Sequence, residues 1–184
     1  MRMFVAMPLP AEARGKLADV VAGLANEPTP IRWVRTDGLH LTLKFLGEVA
    51  EQTTPSLIEA LAPAANGTTA LGVSTTEVGG FPTLLRARVV WVGLKAPPGL
   101  ELLAHRVELA CAGLGFPLEE RVFQPHVTLG RVEKGARLEH GIVKRLGEVR
   151  PELDFALESL VLYSSHPGAG GARYEPVASF SLAA

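Results

Sequence analysis

The chain has few of the features that mark disulfide-rich, membrane-spanning or polycationic proteins. Its 184 residues include one cysteine and carry a formal net charge of −1. A single cysteine excludes an internal disulfide and a zinc site built from cysteines. The near-zero charge gives no overall positive field for long nucleic acid, and no apolar run approaches the roughly 18 residues of a membrane-spanning helix.

What remains is the composition of a globular protein. Hydrophobic residues make up 47% and charged residues 20% of the chain, which suffices for a substantial core in one domain or in two small lobes. The opening MRMFVAMPLP is too short, and too soon interrupted by proline, to be a signal peptide. We therefore expect a cytoplasmic protein.

Two similar series of secondary-structure elements follow each other along the sequence. The first has a strand at RMFVAMPL, a helix with an apolar stripe at 17–24, strands at IRWV and LHLTLKFLGEV, a helix near 55–65 and a strand at 66–78. From about Arg86 the order begins again, with strands at 86–94, 123–132, 153–165 and 173–182 and helices at 98–114 and 136–149. This repetition predicts one bilobal domain over 1–184, with duplicated halves 1–85 and 86–184.

A short motif marks each half. LHLTL at 39–43 and PHVTL at 125–129 both contain His, an apolar residue, Thr and Leu in that order. Because side chains alternate across a strand, each copy presents an imidazole beside a hydroxyl on one face. A pseudo-two-fold arrangement would therefore place two imidazoles and two hydroxyls around one cleft.

Such a set suits the cleavage of a phosphodiester. The reaction needs one group to take a proton from the attacking water and another to give a proton to the departing oxygen. Two histidines near their ordinary pKa of about 6.5 can hold opposite protonation states near neutrality. The threonine hydroxyls can donate hydrogen bonds to the phosphate oxygens, so the scheme needs no metal.

Other uses of these histidines stay open at this point. A half-buried histidine satisfied by a neighbouring hydroxyl or carbonyl is a common structural feature. A metal site is less consistent with the pattern, because no third ligand accompanies the two motif histidines, and His105, His140 and His166 show no ligand spacing. We expect neither a metal nor a cofactor.

The two segments IRWVRTDGLHLTLKFLGEV and RVFQPHVTLGRV resemble the signature segments of the two-histidine phosphoesterases, in particular the RNA 2′,3′-cyclic phosphodiesterases, also called 2′-5′ RNA ligases. MRMFVAMPLP, VVWVGL, GLGFP and LYSS are similar to that family in order and spacing. The resemblance implies an α+β fold with two pseudo-symmetric lobes, in which antiparallel sheets line a central cleft and the helices lie outside. It also implies an enzyme that opens a terminal RNA 2′,3′-cyclic phosphate to a 2′-phosphate, with 2′-5′ ligation as a related activity.

The resemblance assigns roles residue by residue. His40 and His126 match the catalytic histidines, and Thr42 and Thr128 match the phosphate-binding threonines. We expect His126 to act as the base for water and His40 as the acid for the leaving 3′ oxygen. Arg131 matches an arginine that follows the second motif and is expected to bind phosphate, although strict alternation puts it opposite His126 unless the strand bulges.

Strict alternation also makes predictions for the neighbours of the first motif. It puts Lys44 on the face of His40, as an exposed charge, and Phe45 in the core. Trp33 and Tyr163 are left between core packing and contact with a base. The loop HPGAGGARY at 166–174 departs from the family pattern, so neither it nor His166 receives a role.

Three functions are compatible with the motif pair. The leading one is hydrolysis of a 2′,3′-cyclic phosphate on RNA ends or short oligonucleotides, by a monomer that has no membrane association. A nucleotide-binding module could use the same cleft without turnover. A two-histidine phosphodiesterase specific for another cyclic phosphate, or for a 2′-5′ oligonucleotide, is the third.

Overall fold

The computed structural model describes all residues from Met1 to Ala184 and consists of four α-helices and nine β-strands. The helices are α1 (Ala11–Leu24), α2 (Thr54–Ala65), α3 (Pro98–Ala112) and α4 (His140–Glu148). The strands are β1 (Arg2–Pro8), β2 (Ile31–Trp33), β3 (His40–Glu48), β4 (Leu71–Phe81), β5 (Val89–Lys95), β6 (His126–Val132), β7 (Asp154–Leu157), β8 (Ser159–His166) and β9 (Arg173–Ser181).

The strands form one sheet, in which all neighbours are antiparallel. Their order is β7-β4-β5-β6-β3-β1-β8-β9, and β2 pairs with β6. We call β3, β1, β8 and β9 the first lobe, and β6, β5, β4 and β7 the second lobe. Counted outward from the junction of β3 and β6, each lobe has four antiparallel strands, so the two lobes are pseudo-symmetric. This confirms the expected α+β class with antiparallel strands and pseudo-symmetric lobes.

The halves of the sheet do not coincide with the halves of the sequence. β4, from the first half of the chain, pairs with β5 in the second lobe, and β8, from the second half, pairs with β1 in the first lobe. Each lobe therefore combines strands from both halves. The division of the sequence at 85 and 86 stays a prediction about its repeat units.

One predicted strand is two strands in the structure. The apolar run 153–165 is interrupted at Glu158, because β7 pairs with β4 in the second lobe whereas β8 pairs with β1 in the first. The run contains no glycine or proline to mark the crossing between lobes. The other predicted strands and helices are present, and α4 is shorter than the predicted 136–149.

A single hydrophobic cluster joins the helices to one face of the sheet. Leu17 of α1, Leu57 and Leu61 of α2 and Leu103 of α3 are fully buried in it, together with Leu41 of β3 and Val127 of β6. The buried residues of α3, at positions 100, 103, 104, 107 and 111, repeat at the spacing of an amphipathic stripe. None of the helices combines the length and the apolar character that crossing a lipid bilayer requires.

A buried ion pair ties the first-half strand β3 to α3. The Lys44 ammonium lies 2.8 Å from the Glu108 carboxylate and donates a 2.7 Å hydrogen bond to the carbonyl of Pro117. Both side chains are well covered, with exposed fractions of 5% and 17%. The prediction of Lys44 as an exposed charge on the His40 face is therefore wrong, because an irregularity in the pairing of β3 with β1 turns this side chain inward.

This ion pair should matter for stability because both charges are shielded from water. Replacing Lys44 by Met leaves the Glu108 carboxylate buried without its cation, which should cost about 3–5 kcal/mol of the free energy of unfolding. Urea denaturation would measure the loss. The matched control is Lys16→Met, which removes the exposed Lys16–Glu12 pair and should cost less than about 1 kcal/mol. Equal small losses for both variants would contradict a stabilising role of the buried pair.

Candidate active site

The two His-x-Thr motifs meet where the lobes join. β3 and β6 pair at Leu41 and Val127, the apolar residue inside each motif. Both of these side chains are fully buried, so the flanking His and Thr side chains lie on the opposite face of the sheet. Since the pairing is antiparallel, its register carries His40 towards Thr128 and Thr42 towards His126. We call these four residues the histidine face.

β3 and β6 share the same irregularity. In β3, Leu43 is an extra residue between the partners of Val5 and Ala6, and in β6, Leu129 is an extra residue between the partners of Val90 and Trp91. The burial patterns of the two strands are identical over their first seven residues. Each strand thus contains a β-bulge directly after its His-x-Thr motif.

The bulge reverses the alternation for the residues that follow it. Lys44 turns into the core, whereas Phe45 lies outside it with 68% of its surface exposed. The prediction that Phe45 belongs to the core is therefore wrong, because strict alternation does not continue through a bulge. At the equivalent place in β6, Gly130 is buried and Arg131 is exposed, so Arg131 returns to the histidine face.

Both imidazoles are oriented by a backbone carbonyl two residues earlier. Nδ1 of His40 lies 2.7 Å from the Gly38 oxygen, and Nδ1 of His126 lies 2.6 Å from the Gln124 oxygen. A carbonyl oxygen can only accept a hydrogen bond, so Nδ1 must be the protonated nitrogen that donates. Nε2 of each ring is thereby left to exchange a proton with a ligand.

Aromatic rings surround His40. The ring centroid of His40 lies 4.9 Å from Phe4, 5.2 Å from Tyr174 in an edge-on contact and 6.3 Å from Tyr163. Tyr163 in turn stacks on Phe4 at 5.3 Å. Tyr163, which the sequence left undecided, is therefore part of the aromatic wall of the first lobe.

His126 has a comparable wall in the second lobe. Its ring lies 5.0 Å from Phe81, edge-on, and 6.2 Å from Trp91. Trp91 lies against Gly79 on β4, where an added Cβ would come within 2.4 Å of the indole. A glycine is required there, because any side chain would displace the ring that supports His126.

This apolar packing disfavours the protonated form of both histidines. Burial lowers the pKa of His40 to about 4, against the opposing effect of the Gly38 hydrogen bond, and the charges of Arg131 and His126 lower this pKa further. Burial also lowers the pKa of His126, although the hydrogen bond to Gln124 opposes it. In the free protein His40 is therefore neutral at pH 7.

A cleft of about 450 Å³ adjoins the histidine face, between β2, the end of β6 and the loop that precedes β9. We call it the cationic cleft, because Arg32, Arg35, Arg131 and Lys134 line it. The four residues of the histidine face do not line the cleft itself; Gly38, Arg131 and Tyr174 connect the two regions. Trp33 and residues 170–172 of the glycine-rich loop complete its wall.

His166, at the end of β8, is not part of the histidine face. The Nε2 atom of His166 is 3.0 Å from the Ser164 hydroxyl and 3.5 Å from the Glu175 carboxylate. Serine and carboxylate thus contact the same ring nitrogen, which is not the relay geometry of a catalytic triad. No three His, Cys, Asp or Glu side chains come together in the arrangement of a metal site.

The sequence pattern did not reveal the aromatic surroundings of the two histidines. Phe4, Trp91 and Tyr174 lie on strands that were predicted, whereas Phe81 lies at the end of β4, beyond the predicted strand 66–78. The contacts of all four rings with the imidazoles depend on which strands become neighbours. β4 and β5 had to be paired before Phe81 and Trp91 could be placed beside His126. Nothing in the local spacing indicates that pairing.

Comparison with known proteins places this geometry in a family. The family model described as "LigT like Phosphoesterase" matches residues 7–91 and again 92–174. The chain is 33% identical over 184 residues to the RNA 2′,3′-cyclic phosphodiesterase of Escherichia coli, covering 98% of this chain and 96% of that protein. It is 32% identical over 181 residues to the protein of that name from Geobacillus stearothermophilus, covering 97% of this chain but only 56% of the relative's length.

Solved structures agree with these relationships. TT0787 of Thermus thermophilus has a TM-score of 0.85 at 27% identity and covers 99% of this chain and 98% of its own. Escherichia coli LigT complexed with 3′-AMP has a TM-score of 0.80 at 30% identity and covers 98% and 97%, respectively. The repeated match of the family model and the extent of these similarities show that the chain belongs to the LigT-like phosphoesterase family of two-histidine phosphoesterases.

Proposed function

We propose that this protein hydrolyses the 2′,3′-cyclic phosphate at an RNA end to a 2′-phosphate, by acid and base catalysis with its two motif histidines. The observation that carries the proposal is the junction of β3 and β6, where two imidazoles with carbonyl-bound Nδ1 atoms share one face with two threonines. The names of the relatives support the same substrate class. Because one chain contributes both motifs, a monomer suffices for this scheme, and we propose the cytoplasm as its compartment.

The chemistry requires two proton transfers at one phosphorus atom. In the proposed scheme, Nε2 of His126 takes a proton from water, and the water oxygen forms a bond to phosphorus. The bond between phosphorus and O3′ breaks, and Nε2 of His40 gives its proton to that oxygen, which leaves a 2′-phosphate and a free 3′-hydroxyl. Thr42 and Thr128 donate hydrogen bonds to the non-bridging oxygens as their charge grows.

The low pKa of His40 means that its proposed acid role requires a change in protonation when substrate binds. An acid must be protonated when it acts, yet His40 is neutral in the free protein at pH 7. A bound phosphate brings a negative charge to the ring and favours the imidazolium. The proposed acid role therefore depends on the substrate to raise the pKa of His40, which couples binding to protonation.

Two residues beyond the bulges extend the site. In this proposal Arg131, which the bulge returns to the histidine face and whose charge lowers the pKa of His40, binds the same phosphate with its guanidinium. Phe45 occupies the equivalent position in the first lobe, 68% exposed and with its ring centroid 6.3 Å from that of Phe4. An exposed ring beside the aromatic wall suits stacking with the base of the terminal nucleotide.

Removing either imidazole should remove most of the turnover. We expect His40→Ala and His126→Ala each to lower the rate of opening of a 2′,3′-cyclic nucleotide by about 10²- to 10⁴-fold, because each variant loses one proton-transfer group. Phosphorus NMR would follow the reaction and identify the 2′-phosphate. The exposed His105→Ala is the matched control and should leave turnover unchanged.

The same assay separates the proposal from its alternatives. With EDTA present, wild-type protein should retain full activity, since the scheme uses only side chains and water, and loss of activity on chelation would contradict it. Binding of the nucleotide without turnover would instead indicate a binding module. Normal turnover in either motif variant would exclude a mechanism with two histidines.

The charge coupling of His40 can be observed directly. In the free protein, NMR titration should show a histidine with a pKa of about 4 that is absent from a His40→Asn variant. Saturating inorganic phosphate should raise this pKa, because the anion stabilises the imidazolium. A value that does not move on phosphate binding would contradict the coupling.

Stacking of the terminal base on Phe45 can be tested by removing the ring. Phe45→Ala should weaken nucleotide binding by about 1–3 kcal/mol, which appears as a higher KM, because the base loses its stacking surface. Leu102→Ala, at a 50% exposed position on α3, is the control for removing an exposed apolar side chain. Equal KM values for Phe45→Ala and wild type would exclude stacking at this position.

A further inference from the structure

Two arginines face each other beside the histidine face. Arg32 on β2 and Arg131 on β6 are Cα partners in the antiparallel pairing of these strands, so their side chains project from the same face of the sheet. Both residues are exposed, and neither takes part in any of the salt bridges of the structure. Like charges directly opposite each other destabilise a sheet, so this pairing has a cost that a bound anion would offset.

The surroundings of this pair are also cationic. Lys134 and Arg35 line the same cleft, and Glu133 is the one acidic residue among its lining residues. Arg35 is partly neutralised by Asp37, whose carboxylate lies 3.2 Å from its guanidinium. Arg32, Arg131 and Lys134 therefore remain as cations against one carboxylate, in a protein whose formal net charge is −1. Such a local excess favours a polyanion.

The cationic cleft is continuous with the histidine face. Gly38, whose carbonyl orients His40, belongs to its wall, and so does Tyr174, whose ring packs edge-on against His40. The volume of about 450 Å³ lies within the range of ligand-binding pockets. A ligand whose phosphate reaches the histidines could therefore extend into this cleft without leaving the protein surface.

The polarity of RNA determines what would extend there. A terminal 2′,3′-cyclic phosphate ends the chain at its 3′ side, so the remaining nucleotides run in the 5′ direction from the terminal ribose. The rings that pack against the two histidines are uncharged: Phe4, Tyr163 and Tyr174 at His40, and Phe81 and Trp91 at His126. In the cationic cleft, by contrast, internucleotide phosphates would meet guanidinium and ammonium groups.

We propose that the cationic cleft binds the phosphodiester backbone on the 5′ side of the terminal nucleotide, with Arg32 and Lys134 contacting internucleotide phosphates. This inference rests on the proposed function, and it makes the protein selective for oligonucleotide ends over cyclic mononucleotides. Arg131 joins the two regions, because it lies on the histidine face after the bulge of β6, lines the cationic cleft and is the Cα partner of Arg32.

The test compares three substrates with 2′,3′-cyclic phosphate ends: a mononucleotide, a trinucleotide and the same trinucleotide with neutral methylphosphonate linkages. For wild type at low salt, kcat/KM should be about tenfold or more higher for the charged trinucleotide than for the other two. Arg32→Gln and Lys134→Gln should each reduce this advantage several-fold. Each lost phosphate contact should also lower the salt dependence of log kcat/KM by about 0.7.

Controls distinguish a lost contact from a damaged fold. Lys144→Gln makes the same charge change at an exposed position on α4 and should leave the trinucleotide advantage unchanged. Arg32→Gln should unfold at the same temperature as wild type or at a higher one, because it removes the repulsion from Arg131.

The three substrates distinguish an error in the proposed function from an error in the assignment of the cationic cleft. If wild type opens none of the three substrates, the proposed function is wrong. If it opens all three with equal kcat/KM, or if Arg32→Gln and Lys134→Gln retain the full advantage of the charged trinucleotide, the proposed function stands and the assignment of the cationic cleft is wrong.

Discussion

The contact between Leu41 and Val127 is the constraint on which the candidate site depends. Each of these residues stands between a histidine and a threonine, and their pairing fixes how the two motifs oppose each other. If the register shifted by one residue, one strand would turn its imidazole into the core. The full burial of both side chains makes that shift unfavourable, so core packing on one face determines the chemistry of the other.

Burial and hydrogen bonding act on the imidazoles in opposite directions. The aromatic walls exclude water and favour the neutral rings, whereas the carbonyls of Gly38 and Gln124 favour the protonated forms. The same carbonyls fix the tautomer and leave Nε2 available. Local backbone thus orients each ring, while strands distant in sequence set its charge.

The sequence predicted the parts of the structure that depend on local pattern. Strand and helix positions followed from periodicity, and the duplicated His-x-Thr motif was sufficient to expect two imidazoles on one face. The side chains that followed each motif were predicted less well. Lys44 and Phe45 exchanged their expected faces because an extra residue, Leu43, interrupts the pairing of β3 with β1. A bulge depends on the partner strand, and therefore has no signal in the alternation itself.

The exchange of β4 and β8 between lobes has a consequence for how the molecule is held together. Neither half of the sequence can complete its own lobe, because β8 and β9 of the first lobe come from the second half and β4 of the second lobe comes from the first half. Cutting the chain between β4 and β5 would therefore give two fragments that each need the other. Two copies of a half-length polypeptide could satisfy the same pairings by swapping their last strands across a two-fold axis. The single chain thus has the interlocked connectivity of a domain-swapped dimer whose protomers have been fused.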